Sequence, residues 1–153
     1  MSGDTELIKL YSARILALAA DIPHLGRLTS ADASVKRRSP LCGSAVTADV
    51  VVSQDQLIEL GLDVKACALG QAAATLASRV AVGRTLAEIV DARDALKEML
   101  EGKDTMPDSP FEGYEALSPA VAYKNRHASI MLTLEAITEA MEAALSAQPA
   151  QKA

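Results

Sequence analysis

The chain has 153 residues, half of them hydrophobic and 23% charged, with a formal net charge of −5. That balance excludes global disorder, and a chain of this length buries roughly 68–70% of its unfolded surface, so neither a disulfide nor a metal is needed merely to hold it together. Aromatics are 3%, with no Trp and one Phe, so the core must be aliphatic and Ala-rich. A stacking surface for single-stranded nucleic acid is excluded too, and the acidic balance disfavours non-specific binding to polyanions.

Leu7, Ile8, Leu10, Tyr11, Ile15 and Leu18 fall at helical spacing and predict a helix over 5–20, capped by Asp4 or Thr5. The run from Asp21 to Gly26, with Pro23, ends it. Residues 27–40 are mixed and polar, with room for a short strand, and close on Lys36, Arg37, Arg38, Ser39 and Pro40. Val46, Ala48, Val50 and Val52 alternate with Thr47 and Asp49, the pattern of a strand with one buried face. After the polar turn 53–56, Ile58, Leu60, Leu62 and Val64 alternate with Glu59, Gly61, Asp63 and Lys65, which completes an antiparallel hairpin.

Helices supply the cover. Residues 68–82 form an Ala-rich helix, with Gly83 as its C′ residue. Thr85 and Glu88 make a capping box for a helix carrying Leu86, Ile89, Val90, Leu96 and Leu100 that stops at Gly102. Residues 103–118 read as a loop with a turn of helix. The last helix, 127–146, carries Ile130, Leu134, Ile137, Met141 and Leu145 on one stripe. Residues 1–147 thus make one α+β domain, a small antiparallel sheet covered mainly on one face by helices, and 148–153 is a frayed tail.

The longest strongly apolar stretch without charge, Ala66 to Ser78, is shorter than the ~20 residues of a membrane helix, and the acidic start of the chain lacks a basic leader region. The expected location is the cytoplasm, without a membrane partner. Cys42 and Cys67 are 25 residues apart, but flank the predicted hairpin on strands that run in opposite directions. They are therefore expected at the same end of the sheet, with sulfurs within roughly 8 Å, near enough to share a metal after small side-chain moves. Cys67 opens a helix, where the macrodipole and free N–H groups favour an anionic sulfur. In a reducing compartment such a pair reads as metal ligands or reactive thiols; two small buried hydrophobes is the competing reading. The charges at Asp91, Asp94, Glu98 and Glu101 are helix-surface charges. There is no Gly-rich phosphate loop, no Ser/His/Asp triad and no H-E-x-x-H.

Three signatures then coincide: P-x-C-G at Pro40–Gly43, a β-hairpin followed by Cys67 opening an Ala-rich helix, and Glu115–Leu117, Arg126–Ser129 and Glu135–Ile137 downstream. Together they resemble the NifU N-terminal/IscU-type iron–sulfur cluster assembly scaffolds over about 8–137, and the long 103–124 segment resembles the SufU-like branch. The resemblance implies three cysteines and an aspartate gathered at one end of the molecule, holding a nascent cluster or, in SufU-like members, a zinc ion used in sulfur transfer. Cys42 and Cys67 match the first two cysteines. Ser44 stands at the family's aspartate and Ser129 at its third cysteine. Arg126 matches a basic residue before that cysteine, and Lys124 stands where many members have proline.

Half of the expected ligand set is therefore serine, whose hydroxyl stays protonated and is a poor ligand. His127 is the nearest nitrogen that can take a vacant place; a surface or capping histidine is its other reading. His24 reads as structural. Lys36, Arg37 and Arg38, with Arg126, are expected to dock an acidic surface such as that of a cysteine desulfurase, unless the run is simply a solvated charge cluster. The expected role is a scaffold or iron/sulfur carrier rather than an enzyme, with a transient iron–sulfur cluster or zinc, taking sulfur from a cysteine desulfurase and serving acceptor apo-proteins. Two readings compete with it: a zinc-binding sulfur acceptor, or an interaction module of this fold with a degraded metal site.

Overall fold

The computed structural model describes residues 11–40 and 43–147. The predicted caps Asp4 and Thr5 lie outside them, as do Cys42 and the tail 148–153. Helix α1 spans Ala13–Ala19 and is capped by Ser12, whose hydroxyl accepts from the Ile15 N–H. The helix predicted through 11 and 12 is thus broken there, because a serine hydroxyl competes with the helical ladder for backbone N–H groups.

Strands β1 (Ala33–Arg38), β2 (Ala45–Ser53) and β3 (Gln56–Lys65) form an antiparallel sheet in the order β1-β2-β3. Gln54 and Asp55, both with positive φ, make the two-residue hairpin turn, and Ser53 pairs with Gln56. The predicted alternation in β3 needs one correction. A bulge separates the Val51–Glu59 pair from the Val52–Leu57 pair. Ile58 is the extra residue and lies 44% exposed, while Leu57 takes the buried place.

Helix α2 (Ala68–Ala81) follows β3, α3 (Leu86–Leu100) follows a short turn, and α4 (His127–Ser146) closes the fold. Val82 and Gly83 form that turn with type II geometry: φ −65° and ψ 130° at Val82, φ +95° at Gly83, and an Arg84 N–H to Ala81 O bond. The capping box at Thr85 and Glu88 is present. At the other end of α3, the Gly102 N–H bonds Met99 O and the Lys103 N–H bonds Glu98 O, a Schellman closure over a left-handed glycine. The expected loop after 103 is more ordered than its prolines imply. A 3-10 helix runs from Glu112 to Ala122, and buried Tyr114 donates its hydroxyl to Ala73 O.

Helix α4 is the centre of the molecule. Ile130, Leu134, Ile137 and Met141 are all fully buried, and α4 packs on β1 and β2 while α2 and α3 flank it. The sheet's other face carries Asp49, fully buried though its place in the alternation predicts solvent. Asp49 accepts from the Arg27 guanidinium at 2.7 and 3.0 Å, from the Leu28 N–H at 2.9 Å and from the Ser34 hydroxyl. The chain can cross this face because Gly61 has no Cβ, which would lie 2.5 Å from Gly26 O. Burial alone would raise the Asp49 carboxyl; the hydrogen bonds from Arg27, Ser34 and Leu28, with the Arg27 charge, outweigh it and hold the carboxyl below its ordinary value. Among the described residues, no helix is long and apolar enough to cross a membrane.

Candidate functional site at the thiol end of the sheet

The antiparallel ladder pairs Ala45, which opens β2, with Lys65, which closes β3. Ser44 and Cys67 therefore stand at the same end of the sheet. Cys42 lies outside the described residues. The residue after it is described: Gly43 has φ +72°, the Gly43 N–H bonds Ser39 O at 3.3 Å, and the Ser39 N–H bonds Ser44 O at 2.7 Å. These bonds turn the chain tightly from β1 into β2 and bring Ser44 inward to 4% exposure.

Cys67 is the N-cap of α2 and is half-buried. Ser129, in the first turn of α4, is 1% exposed and sits between the two loop ends. Its hydroxyl donates to the Ser44 hydroxyl at 3.1 Å and lies 3.7 Å from the Cys67 sulfur. Three of the four positions singled out from the family pattern thus touch in a chain. Gly70 makes this contact possible and was missed in the sequence. A Cβ there would lie 2.5 Å from Ser129 Oγ and 2.7 Å from the Ala66 Cβ, so only glycine lets α4 approach α2 this closely. A glycine inside an otherwise Ala-rich helix is the signal that marks it.

His127 is placed differently. Its Nε2 lies 2.9 Å from Ala120 O and 3.1 Å from Val121 O. Carbonyls only accept, so this nitrogen carries the proton and is committed to the turn that precedes α4. His24, at φ +63°, offers its carbonyl to the Leu62 N–H at 2.9 Å.

The basic run divides by strand alternation. Lys36 and Arg38 are exposed, whereas Arg37 turns toward α4, where its guanidinium bonds Glu139 and, at 3.4 Å, Glu135. Burial pushes the Glu135 carboxyl up from its ordinary value, against the pull of Arg37. Arg126 is half-buried, and its N–H bonds Tyr123 O.

A family model described as NifU-like N terminal domain matches residues 10–130. The chain belongs to that family. A crystal structure of a nitrogen-fixing NifU-like protein, N-terminal part, from Brucella abortus is 33% identical, with a TM-score of 0.89 over 94% of this chain and 99% of that one. A protein of Fervidobacterium islandicum AW-1, assigned as an iron–sulfur cluster assembly scaffold for the SUF system, shares the fold. It is 19% identical, with a TM-score of 0.78 over 88% of this chain and 98% of that one. No curated protein matches. Of the positions expected from the NifU-like N-terminal family, Ser44, Cys67 and Ser129 lie together here, and two of these three hold hydroxyls. Among the described residues, no group of three His, Cys, Asp or Glu side chains is placed to hold a metal ion.

Proposed function

We propose that this NifU-like domain acts in iron–sulfur cluster assembly as a scaffold or sulfur carrier, receiving sulfur from a cysteine desulfurase and passing its cargo to acceptor proteins. The observation that supports the reading is the seat of Ser129 between Cys67 and Ser44, a contact among three of the positions expected to be ligands. Cys67 is half-buried, so a donor can reach it, and the first turn of α2 presents N–H groups that favour an anionic sulfur. In the sulfur-transfer step the Cys67 thiolate attacks the outer sulfur of a donor persulfide. A new S–S bond forms on Cys67, the donor's S–S bond breaks, and the donor cysteine leaves as a thiolate. No external oxidant is consumed.

The donors among the described residues do not by themselves make a zinc site. Zinc takes thiolate, imidazole or carboxylate ligands. Here the described positions supply one thiol and two serine hydroxyls already bonded to each other, and no group of three His, Cys, Asp or Glu side chains among the described residues is placed to hold a metal ion. The same Ser44–Ser129 bond favours a second reading, an interaction module whose ligand seat has been closed by hydroxyls.

Anaerobic reconstitution with iron and sulfide separates the two. The native chain should take up little and release it readily, and the Ser44→Asp/Ser129→Cys variant should hold iron and acid-labile sulfide much more firmly. A native chain that binds as tightly as the variant contradicts the account of a half-empty site. Failure of both chains to bind leaves the interaction module.

A further inference from the structure

A groove of about 320 Å³ opens beside the thiol end, between the end of β1, the last turn of α3 and the start of α4. Its floor is aliphatic, formed by Leu100, Met131 and Leu132, each largely buried by the core beneath. Its rim is charged, and the charges are unequally neutralised. Glu101 pairs with Lys103 at 3.2 Å, and Glu135 lies 3.4 Å from Arg37, whose closer partner is Glu139, and within the electrostatic reach of Lys97. Arg38 and Lys97 line the same rim with no ion pair among the described residues. On a chain of net charge −5, the groove is lined by three basic residues, Arg37, Arg38 and Lys97, against two acidic ones, Glu101 and Glu135, a formal surplus of one positive charge around an apolar floor.

Its walls also lead into the site. Ser39 and Pro40 begin the loop that closes at Ser44, and His127 and Ala128 immediately precede Ser129. A chain lying in the groove would run alongside the Ser129 hydroxyl that contacts Cys67. The volume suits a short extended segment rather than a folded surface.

We propose that this groove docks an acidic segment of a partner protein, with an aliphatic side chain on the Leu100–Met131–Leu132 floor and carboxylates on Arg38 and Lys97. The inference deepens the carrier reading, on which it rests for the partner's purpose but not for the binding itself. Charge complementarity supplies orientation and on-rate, and the apolar floor supplies the anchor.

The test uses the full chain, labelled with 15N, and two acetylated pentapeptides: one of alternating glutamate and leucine, the other with lysine in place of glutamate. The glutamate peptide should shift the amides of 38–39, 97–101 and 127–135 saturably, and the lysine peptide should shift none of them. Reversal by Arg38→Glu/Lys97→Glu should weaken the glutamate peptide about tenfold, and raised salt should weaken it in the native chain. Should the reversal unfold the chain, Arg38→Ala/Lys97→Ala gives the same direction with a smaller loss.

Equal binding of both peptides, shifts confined to other surfaces, or undiminished binding by both double variants overturns the proposal. So does self-association of the native chain, seen by sedimentation, that either double variant abolishes, since a second copy would then fill the groove. Iron and sulfide uptake is read on the same samples. Peptide binding without uptake removes the carrier reading and leaves the groove, and uptake without peptide binding does the reverse.

Discussion

The two ends of the sheet are closed by different chemistry. At the hairpin end the ladder runs out to the Ser53–Gln56 pair, and Leu57 then exchanges backbone bonds with the turn after α2: its N–H reaches Arg84 O at 2.9 Å and its carbonyl takes the Gly83 N–H at 2.8 Å. Backbone satisfies backbone, and side-chain identity matters little there beyond the residues that must hold positive φ. At the thiol end the tight bonds between Ser39 and Ser44 are followed by side chains only, Ser44 to Ser129 to Cys67. An end closed by side chains can have its chemistry rewritten by one substitution while the fold stays. That is the property a site needs, and it accounts for how serines occupy ligand positions without loss of the architecture.

The contrast can be broken most severely through what the two ends share. Leu134 is fully buried in α4, so Leu134→Ala should cost about 2–5 kcal/mol and lower both ends in a single urea transition followed by two probes. A split transition would show that the ends fold independently. Gly70→Ala acts at one end only. The new methyl meets Ser129 Oγ and the Ala66 Cβ, and overpacking of this kind should cost about 1–3 kcal/mol. Amide exchange should quicken around 67–70 and 127–130 and stay unchanged at 53–57.

Asp49 stands between the ends and serves as a pH reference. Its carboxyl is held below the ordinary value in the folded chain. Its contribution is therefore complete above about pH 4–5, the upper edge of the ordinary carboxylate range, and is lost as pH falls through the lower folded value. Asp49→Asn should remove about 1–3 kcal/mol at neutral pH and flatten the acid limb of a stability–pH curve. A limb unchanged in the variant would assign the acid sensitivity elsewhere.

Ser129→Ala should cost about 1 kcal/mol, the worth of one buried hydrogen bond, with a larger effect on the alkylation rate of Cys67 than on stability. Asp55→Gly sharpens the contrast from the opposite side. At φ +67° an aspartate is strained and glycine is not, so this variant should gain about 0.5–1 kcal/mol in urea denaturation without touching thiol reactivity.

Several of these features were legible in the sequence, for a common reason. The boundaries of α4, the capping box at Thr85 and the inward residues of β2 all depend on neighbours within a few positions. The bulge at Ile58 was not legible, because an apolar residue at every second place fits an unbroken strand as well as a bulged one. Asp49 looked like a solvent-facing residue, since its partner Arg27 lies 22 residues upstream and no local pattern joins them. The same distance problem hid the attachment of His127 to carbonyls six and seven residues before it. At the site, family spacing located Ser44, Cys67 and Ser129. The glycine that lets them meet works through a contact between two helices, which spacing along one helix does not express.

One consequence of the strand order concerns crowding. β1 pairs with β2 alone, and among the described residues no strand covers its far side, whereas the far side of β3 receives the stretch around Leu25. An uncovered strand is a template for any other extended chain, including another molecule of the same protein. This one carries exposed Lys36 and Arg38 near its end, so a second such margin laid beside it in parallel would set like charges together. Charges of this kind on an open margin disfavour zipping into a continuous sheet, whether or not a partner ever uses them.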